Sequence, residues 1–187
     1  RRAGRVHGIR SGLVAMLLVV ATVSGITIRN RILDDRAQTA AENLEQQNVT
    51  RAEGLVATLL KADIEQVPAA ITQLKDFRKW ADPILKKQIA ESREGSSERL
   101  RLSLALLPQD ESQVGYLHSE LLKATPPALP VIRDALKPPQ DETVKLLWTV
   151  LESDTHPTLH RFNAACALAT FDGENKTKWK PVLPFVA

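Results

Sequence analysis

The segment RLRLSLALLPQD, residues 99–110, is rich in small and aliphatic residues and ends in a Pro or Asp turn, a pattern that recurs twice. PVIRDALKPPQD follows at 130–141 and HRFNAACALATFD at 160–172. Each copy contains an Ala-Leu pair, and successive pairs are separated by 30 and 32 residues. A helix pair about every 31 residues is typical of stacked helical repeats, in which neighbouring units bury each other's apolar faces. The spacing predicts a HEAT-like α-solenoid.

Further amphipathic helices separate and precede these copies. QVGYLHSELLKA and ETVKLLWTVLES each read as one amphipathic helix between two copies. Pro68 suits the first turn of a helix from about Val67 to Trp80, and Pro83 is expected to open the next helix. The stretch SREGSS then supplies a cap before Glu98. No alternating-polarity run bounded by hairpin turns occurs, so the fold class is predicted to be all-α.

The N-terminal run SGLVAMLLVVATVSGITI, residues 11–28, has no charged residue. Its 18 residues would span about 27 Å as a helix, close to the roughly 30 Å hydrocarbon core of a bilayer. A buried core helix would keep a polar face, which this run lacks. A cleaved signal peptide remains an alternative, because TVS before Gly25 resembles a cleavage site. We interpret the run as a single transmembrane helix.

Arginines flank this run on both sides and set its expected orientation. Four precede it and three follow, where Asp34 and Asp35 intervene, so the positive-inside rule places the N-terminus in the cytoplasm. Residues after Ile28 are then extracytoplasmic. The residues assigned to the membrane flank are Arg1, Arg2, Arg5, Arg10, Arg29 and Arg31.

The predicted organisation has four parts. Residues 1–10 form a basic cytoplasmic flank, 11–28 the transmembrane helix, 29–62 a stalk helix and 63–187 the helical-repeat domain. The stalk is rich in good helix formers, and its Leu33, Ala37, Ala40 and Leu44 lie on one helical stripe. The stripe ends near Gln47, which argues against a long coiled coil. The unusual ends of the chain suggest a piece of a longer protein, truncated in the last domain.

Charge and cysteine content exclude some classes of function. The formal net charge is +3, but the first 28 residues contain four arginines and no acid, so the remainder is almost neutral. No basic face with interleaved aromatic residues is present, and we therefore expect no nucleic-acid partner. Cys166 is the single cysteine of the chain, so it forms neither an intrachain disulfide nor a cysteine-based zinc site.

No motif identifies a catalytic, cofactor-binding or metal-binding residue. His156 and His160 in HPTLH have the spacing of two metal ligands, but Pro157 starts the helix and no glutamate lies between them. The segment DGENKT, which starts at Asp172, begins like a calcium-binding loop but lacks the alternating acidic residues of such a loop. We interpret it as a helix-ending turn. Aromatic residues on amphipathic helices are expected to lie mostly in the core. These are Phe77, Trp80, Trp148, Phe162 and Trp179.

Five blocks in a fixed order resemble a family of membrane-anchored Ser/Thr protein kinases of planctomycete bacteria. They are QVPAAITQLKDFRKWADPIL, SLALLPQDESQVGYLHSELLKA, VIRDAL, LLWTVLES and RFNAACALATFD, and they cover roughly residues 64–171. The resemblance implies an upstream cytoplasmic kinase domain, which would bind ATP and Mg²⁺, then a membrane span and this exported helical region. A formylglycine-generating-enzyme-like module often follows in that family. The kinase motifs are absent here, so this segment is expected to be neither catalytic nor cofactor-bound.

The predicted function is that of an anchor and an exported interaction or sensor region of a receptor-type kinase. The membrane, a protein or peptide ligand on the concave face of a solenoid, and a second copy of the chain are the expected partners. One alternative is a scaffold that tethers a C-terminal formylglycine-generating-type enzyme. Another is a secreted helical binding protein whose signal peptide is removed.

Overall fold

The computed structural model describes residues 29, 35–137 and 141–182. Throughout these residues the secondary structure is helical and contains no strand, which confirms the all-α prediction. The chain divides into two compact units, Arg1–Asn48 and Val49–Ala187. The helices are α1 (35–61), α2 (Val67–Leu74), α3 (Arg78–Glu91), α4 (Ser97–Leu106), α5 (Gln113–Lys123), α6 (Ala128–Ala135), α7 (Asp141–Glu152), α8 (Thr158–Phe171) and α9 (Lys176–Trp179).

In the first unit, the described part of the predicted stalk is an exposed helix. The side chains of residues 35–47 are all exposed, and Leu44 retains 60% of its accessible surface. Ala37 and Ala40 of the predicted stripe are exposed as well, while Leu33 lies outside the described residues. Local hydrogen bonds support the helix, among them one from Gln38 Nε2 to Glu42 Oε1 at 3.0 Å. Among the described residues, nothing covers the stripe of residues 37, 40 and 44.

The second unit begins inside the predicted stalk, at Val49 rather than at residue 63. Ala52, Val56 and Leu59 lie on one face of α1 and are fully buried in the hydrophobic core. The part of α1 from Val49 onward is thus a packed core helix and not a spacer. The unit boundary at Asn48 coincides with the place where the stalk stripe ends in the sequence.

Two prolines behave differently from each other in the helices that follow α1. Pro68 lies in the first turn of α2, as predicted, where its missing N–H needs no helical acceptor. Pro83 does not open a helix: it lies inside α3, which begins at Arg78. A short 3₁₀ turn, Lys75–Phe77, separates α2 from α3 and divides the single helix expected over Val67–Trp80. The apolar spacing predicted that helix correctly as helical but missed the break.

Consecutive helices pack against one another from α3 to α6, and α7 packs against α8. Helix α5 is central, because α4, α6 and α8 all pack against it. The repeated Ala-Leu pairs belong to these three neighbours: Ala105-Leu106 and Ala167-Leu168 are buried, and Leu136 is buried just after α6. Most residues of the recurring pair therefore belong to the hydrophobic core.

Side chains from one helix satisfy the terminal carbonyl groups of another. Arg78 of α3 donates to the carbonyl oxygen of Ala105 at the end of α4, at 2.6 Å. Arg101 donates from Nε to the Ala62 carbonyl beyond α1, at 2.7 Å. Cationic donors are favoured at such sites because the last carbonyls of a helix lack helical partners and carry partial negative charge. These contacts fix the helix ends relative to one another within the second unit.

No helix in the described ranges is both long enough and apolar enough to cross a membrane. The predicted transmembrane helix over 11–28, and five of the six flanking arginines, lie outside the described residues. Arg29, the sixth, is helical and exposed.

Candidate ligand-binding groove

An apolar groove of about 420 Å³ opens between α2, the end of α4 and α6. Ile71 of α2, Leu107 after α4 and Val131 of α6 are half-buried in its walls, and Leu104 lies deeper in the core. A cavity of this size and character falls in the range of small-ligand and side-chain pockets. The remaining lining residues are Pro68, Pro108, Pro130, Asp134 and Ala135.

Three prolines limit the chemistry that the groove wall can offer. Pro68, Pro108 and Pro130 line the cavity, and proline has no backbone N–H to donate. Pro68 and Pro130 also lie in the first turns of α2 and α6, where backbone N–H groups lack helical acceptors. A ligand would therefore be held by burial of its apolar surface more than by hydrogen bonds to this backbone.

Among the described residues that line this groove, Asp134 is the charged one. Its Oδ1 accepts from Arg133 Nε at 3.0 Å and contacts Lys137 Nζ at 3.1 Å. The hydrogen bond from Arg133, followed by that from Lys137, holds the pKa of the Asp134 carboxyl below its ordinary value. The carboxylate is thus ionised and already paired at neutral pH, so the groove edge has little charge to offer a ligand.

A second cavity of about 290 Å³ adjoins the groove. The two share Leu107, Pro108 and Ala135 in their linings, so they are neighbouring compartments on either side of the α4–α5 turn and the end of α6. The second one adds Glu111 and Lys137 at its border. The larger groove is the more apolar of the two, and its wall suits an apolar segment of a protein ligand.

The structure does not assemble a metal or catalytic site from the candidate histidines. His156 precedes Pro157, which caps α8, and both His156 and His160 are half-buried. Within the described part of the chain, no cluster of three or more His, Cys, Asp or Glu side chains has an arrangement that would hold a metal ion. Cys166 is a half-buried free thiol on α8.

Asp172 ends α8 and organises two tryptophans. Its Oδ2 accepts from Trp148 Nε1 at 2.7 Å, and its backbone carbonyl accepts from Trp179 Nε1 at 3.0 Å. The two indole rings meet edge to face with centroids 5.0 Å apart. Asn175 also donates to Asp172 Oδ2, at 3.1 Å. The DGENKT segment is therefore the helix-ending turn that was predicted, and it attaches α9 to α7 and α8.

The other aromatic side chains divide between core and surface. Phe77 and Trp80 are half-buried against the core with centroids 6.2 Å apart, as expected. Phe162 differs, because 56% of its surface is exposed on α8. The sequence gave no sign of this exposure, because Phe162 directly precedes the apolar run Ala164–Ala169 on the same helix.

His118 of α5 is half-buried, and no sequence pattern singled it out. Within the described residues its Nε2 is buried without a hydrogen-bond partner. Burial lowers the pKa of its imidazole from the ordinary value, so the neutral form is favoured in the fold. It does not line the groove, and its neutral form is accounted for by its place on a packed helix.

The groove itself was missed at the sequence level, where only a concave solenoid surface was expected. Its walls come from residues as distant in sequence as Ile71 and Val131, and no local pattern joins them. The available signal was the proline in the first turn of α2 and of α6, which marks helix starts but not their proximity.

Comparison with protein-family models, with curated proteins and with solved structures finds no match to this chain.

Proposed function

We propose that this chain is the non-catalytic, exported interaction region of a membrane-anchored receptor-type Ser/Thr protein kinase, and that it binds an apolar segment of a protein or peptide ligand. The groove between α2, α4 and α6 is the observation on which ligand binding rests. The helix pairs would belong to a HEAT-type repeat, with the Ala-Leu pairs as the repeating unit. ATP and Mg²⁺ would be bound by the kinase domain alone.

Several features of the described residues support binding rather than chemistry. The groove is apolar, its prolines offer no backbone donors, and its one lining carboxylate, Asp134, is engaged by Arg133 and Lys137. Catalytic sites instead bring together groups whose pKa values are shifted and whose reactive atoms are free to contact a substrate. The apolar wall matches the way helical domains hold a peptide by its side chains.

The kinase and membrane parts of the proposal rest on the sequence. The uncharged run 11–28 between arginines supports an anchor, and the five sequence blocks support the kinase family. Sequencing the coding region on both sides of this segment tests this part directly. We expect a kinase catalytic loop upstream of Arg1; a start codon immediately before Arg1 would contradict the receptor-kinase proposal.

Ligand binding is tested by selecting random twelve-residue peptides on the full chain and measuring their affinity for two variants. Ile71→Glu places a charge in the groove, so we expect selected peptides to bind at least tenfold more weakly. Gln73→Glu adds the same residue to an exposed site of the same helix and should leave affinity unchanged. Peptides that bind wild type and Ile71→Glu equally would contradict the groove as the ligand site.

A further inference from the structure

A smaller cavity of about 240 Å³ opens on the second unit. It is bounded by the start of α4, the end of α5 and the start of α6, together with the 3₁₀ turn Ile64–Gln66 that precedes α2. None of the described residues that line it also lines the groove or the cavity adjoining the groove. A ligand of this cavity would therefore be bound separately from a ligand of the groove.

The inner wall of this cavity is aliphatic. Ala124, Ala128 and Ile132 are buried in the hydrophobic core, and Ile64 and Leu100 are half-buried against it. Drug-sized ligands occupy pockets of about 300 to 1,000 Å³, so this cavity suits a smaller molecule. Burial of a short hydrocarbon chain against these side chains would stabilise such a ligand by the hydrophobic effect.

Charged side chains line the same cavity, and their charges do not cancel. Among the described residues these are Arg101, Glu120 and Lys123, so two cations and one anion leave one positive charge in excess. Lys123 is the counter-ion of Glu120, because its Nζ lies 3.9 Å from Oε1 of that residue. Within the described part of the chain, Arg101 has no carboxylate at ion-pair distance. The excess charge therefore belongs to Arg101.

The guanidinium of Arg101 is held in place by one hydrogen bond and has donors to spare. Its Nε donates to the Ala62 carbonyl at 2.7 Å, which orients the guanidinium plane. Its two Nη nitrogens have no partner among the described residues and are not buried. The N–H groups of a guanidinium form a planar fork, which binds both oxygens of a carboxylate through parallel hydrogen bonds. Arg101 is thus oriented to receive a carboxylate beside an aliphatic wall.

Two other arginines of the second unit show which partner Arg101 lacks. Arg78 and Arg161 each donate to a carbonyl in the last turn of a neighbouring helix, as Arg101 donates to a carbonyl beyond α1. Arg78 also pairs with Asp82 at 3.2 Å, and Arg161 pairs with Asp154 at 2.8 Å. Arg101 has the backbone acceptor without the carboxylate, and it lines a cavity.

We propose that this cavity binds a small aliphatic monocarboxylate, whose carboxylate pairs with Arg101 and whose hydrocarbon chain packs against Ala128 and Ile132. One excess positive charge matches one carboxylate. A dianion such as hydrogen phosphate would bring a second negative charge toward Glu120, whose counter-ion Lys123 is already engaged. An amine of the same size would meet the unpaired guanidinium instead of a carboxylate. The inference is independent of peptide binding in the groove.

The proposal is tested by titrating the full chain, in an uncharged detergent, with sodium isovalerate. Saturation-transfer NMR of the ligand methyl signals measures binding, and detergent without protein serves as the blank. We expect saturable binding of isovalerate. Isopentyl alcohol has the same carbon skeleton without the charge, and acetate has the charge without most of the hydrocarbon. Each should bind at least tenfold more weakly than isovalerate, because each lacks one of the two contacts.

Substitutions of Arg101 separate its charge from its shape. Arg101→Gln should weaken isovalerate binding at least tenfold and leave the affinity for isopentyl alcohol unchanged. Arg101→Lys keeps the charge without the fork, so it should recover only part of the affinity. Arg93→Gln, at an exposed arginine that does not line the cavity, is the matched control and should bind isovalerate as the wild type does.

A further variant tests the aliphatic wall while Arg101 stays intact. Ala128→Leu fills the cavity and should weaken isovalerate binding at least tenfold. Circular dichroism verifies that each variant is folded. If Arg101→Gln does not fold, Arg101→Lys and Ala128→Leu supply the same comparison.

A wild-type chain that shows no saturable binding of isovalerate would overturn the proposal, as would equal affinities of isovalerate for wild type and a folded Arg101→Gln. Phosphate that displaces isovalerate at equal concentration would overturn the choice of a monocarboxylate. Peptide binding remains a separate readout: Ile71→Glu should keep the affinity for isovalerate, and Arg101→Gln should keep the affinity of the groove for peptides.

Discussion

At the scale of single residues, the second unit is held together by side chains that reach the ends of other helices. Asn163 of α8 is buried and donates from Nδ2 to the carbonyls of Leu122 and Ala124, at 3.0 Å each. These carbonyls lie at the end of α5, where no helical N–H remains to satisfy them. One amide therefore connects the central helix to α8.

Replacing Asn163 should destabilise the fold strongly. Asn163→Ala leaves two carbonyls without their donor and should cost about 2 to 3 kcal/mol of unfolding free energy. Asn163→Asp should cost more, because it sets a carboxylate oxygen against two carbonyl oxygens at unchanged side-chain volume. Urea unfolding measures both losses, provided that the dependence of the unfolding free energy on urea concentration is the same in each variant. Thr170→Ala, an exposed change on the same helix, serves as control; equal losses in the three variants would contradict the capping role.

At the scale of elements, local sequence signals place most helix ends. Ser96 caps α4 by accepting from the Arg99 backbone N–H at 3.2 Å, and Gly95 before it has a φ of +74°, which glycine adopts without strain. The stretch SREGSS was expected to contain this cap. Pro83 is the exception, because the favourable packing of Ala81 and Leu85 in the core extends α3 through a proline.

The cap at Ser96 can be separated from its neighbour by matched substitutions. Ser96→Ala removes the acceptor for the Arg99 N–H and should lower the unfolding free energy by about 1 kcal/mol. Ser97→Ala changes an exposed first-turn residue that is not the cap, and it should have little effect or a slightly favourable one. Thermal or urea unfolding gives the comparison. A larger loss for Ser97→Ala than for Ser96→Ala would show that the cap is assigned to the wrong serine.

At the scale of the whole molecule, we expect the two units to differ in the free energy that local unfolding requires. Residues 35–47 are helical but exposed, whereas Val49 begins a unit with a continuous core of buried leucine, valine, alanine and tryptophan side chains. Exposed helices open locally at low free energy, while core helices open only with global unfolding.

Limited proteolysis should detect this difference. We expect glutamyl endopeptidase to cut first after Glu42 or Glu45, and the fragment that begins there to persist while Glu65 and Glu91 remain uncut. Mass spectrometry identifies the fragments, and the same digestion in denaturant serves as control. Early cleavage at Glu65 or Glu91 would contradict a packed second unit that starts near Val49.

A feature of this protein could be predicted from the sequence when its cause lies in residues close together in the chain. Helical class, the Pro68 start, the cap region before Glu98 and the turn at Asp172 could be inferred from the sequence, because each depends on residues within one or two turns. The groove and the exposure of Phe162 on α8 could not. Phe162 and Leu168 are similar side chains on one apolar helix, and only the positions of α5 and α7 bury the second and leave the first exposed.

The sequence by itself determined that the described chain is helical, because periodic apolar positions, caps and prolines act on the backbone locally. It also located the end of the stalk stripe near Gln47, beside the unit boundary at Asn48. The tertiary structure decided which helices meet: α4, α6 and α8 close around α5, and α2 and α6 leave a groove between them. These contacts depend on how well the surfaces of helices that are distant in sequence fit together, and such surfaces meet only when the chain folds.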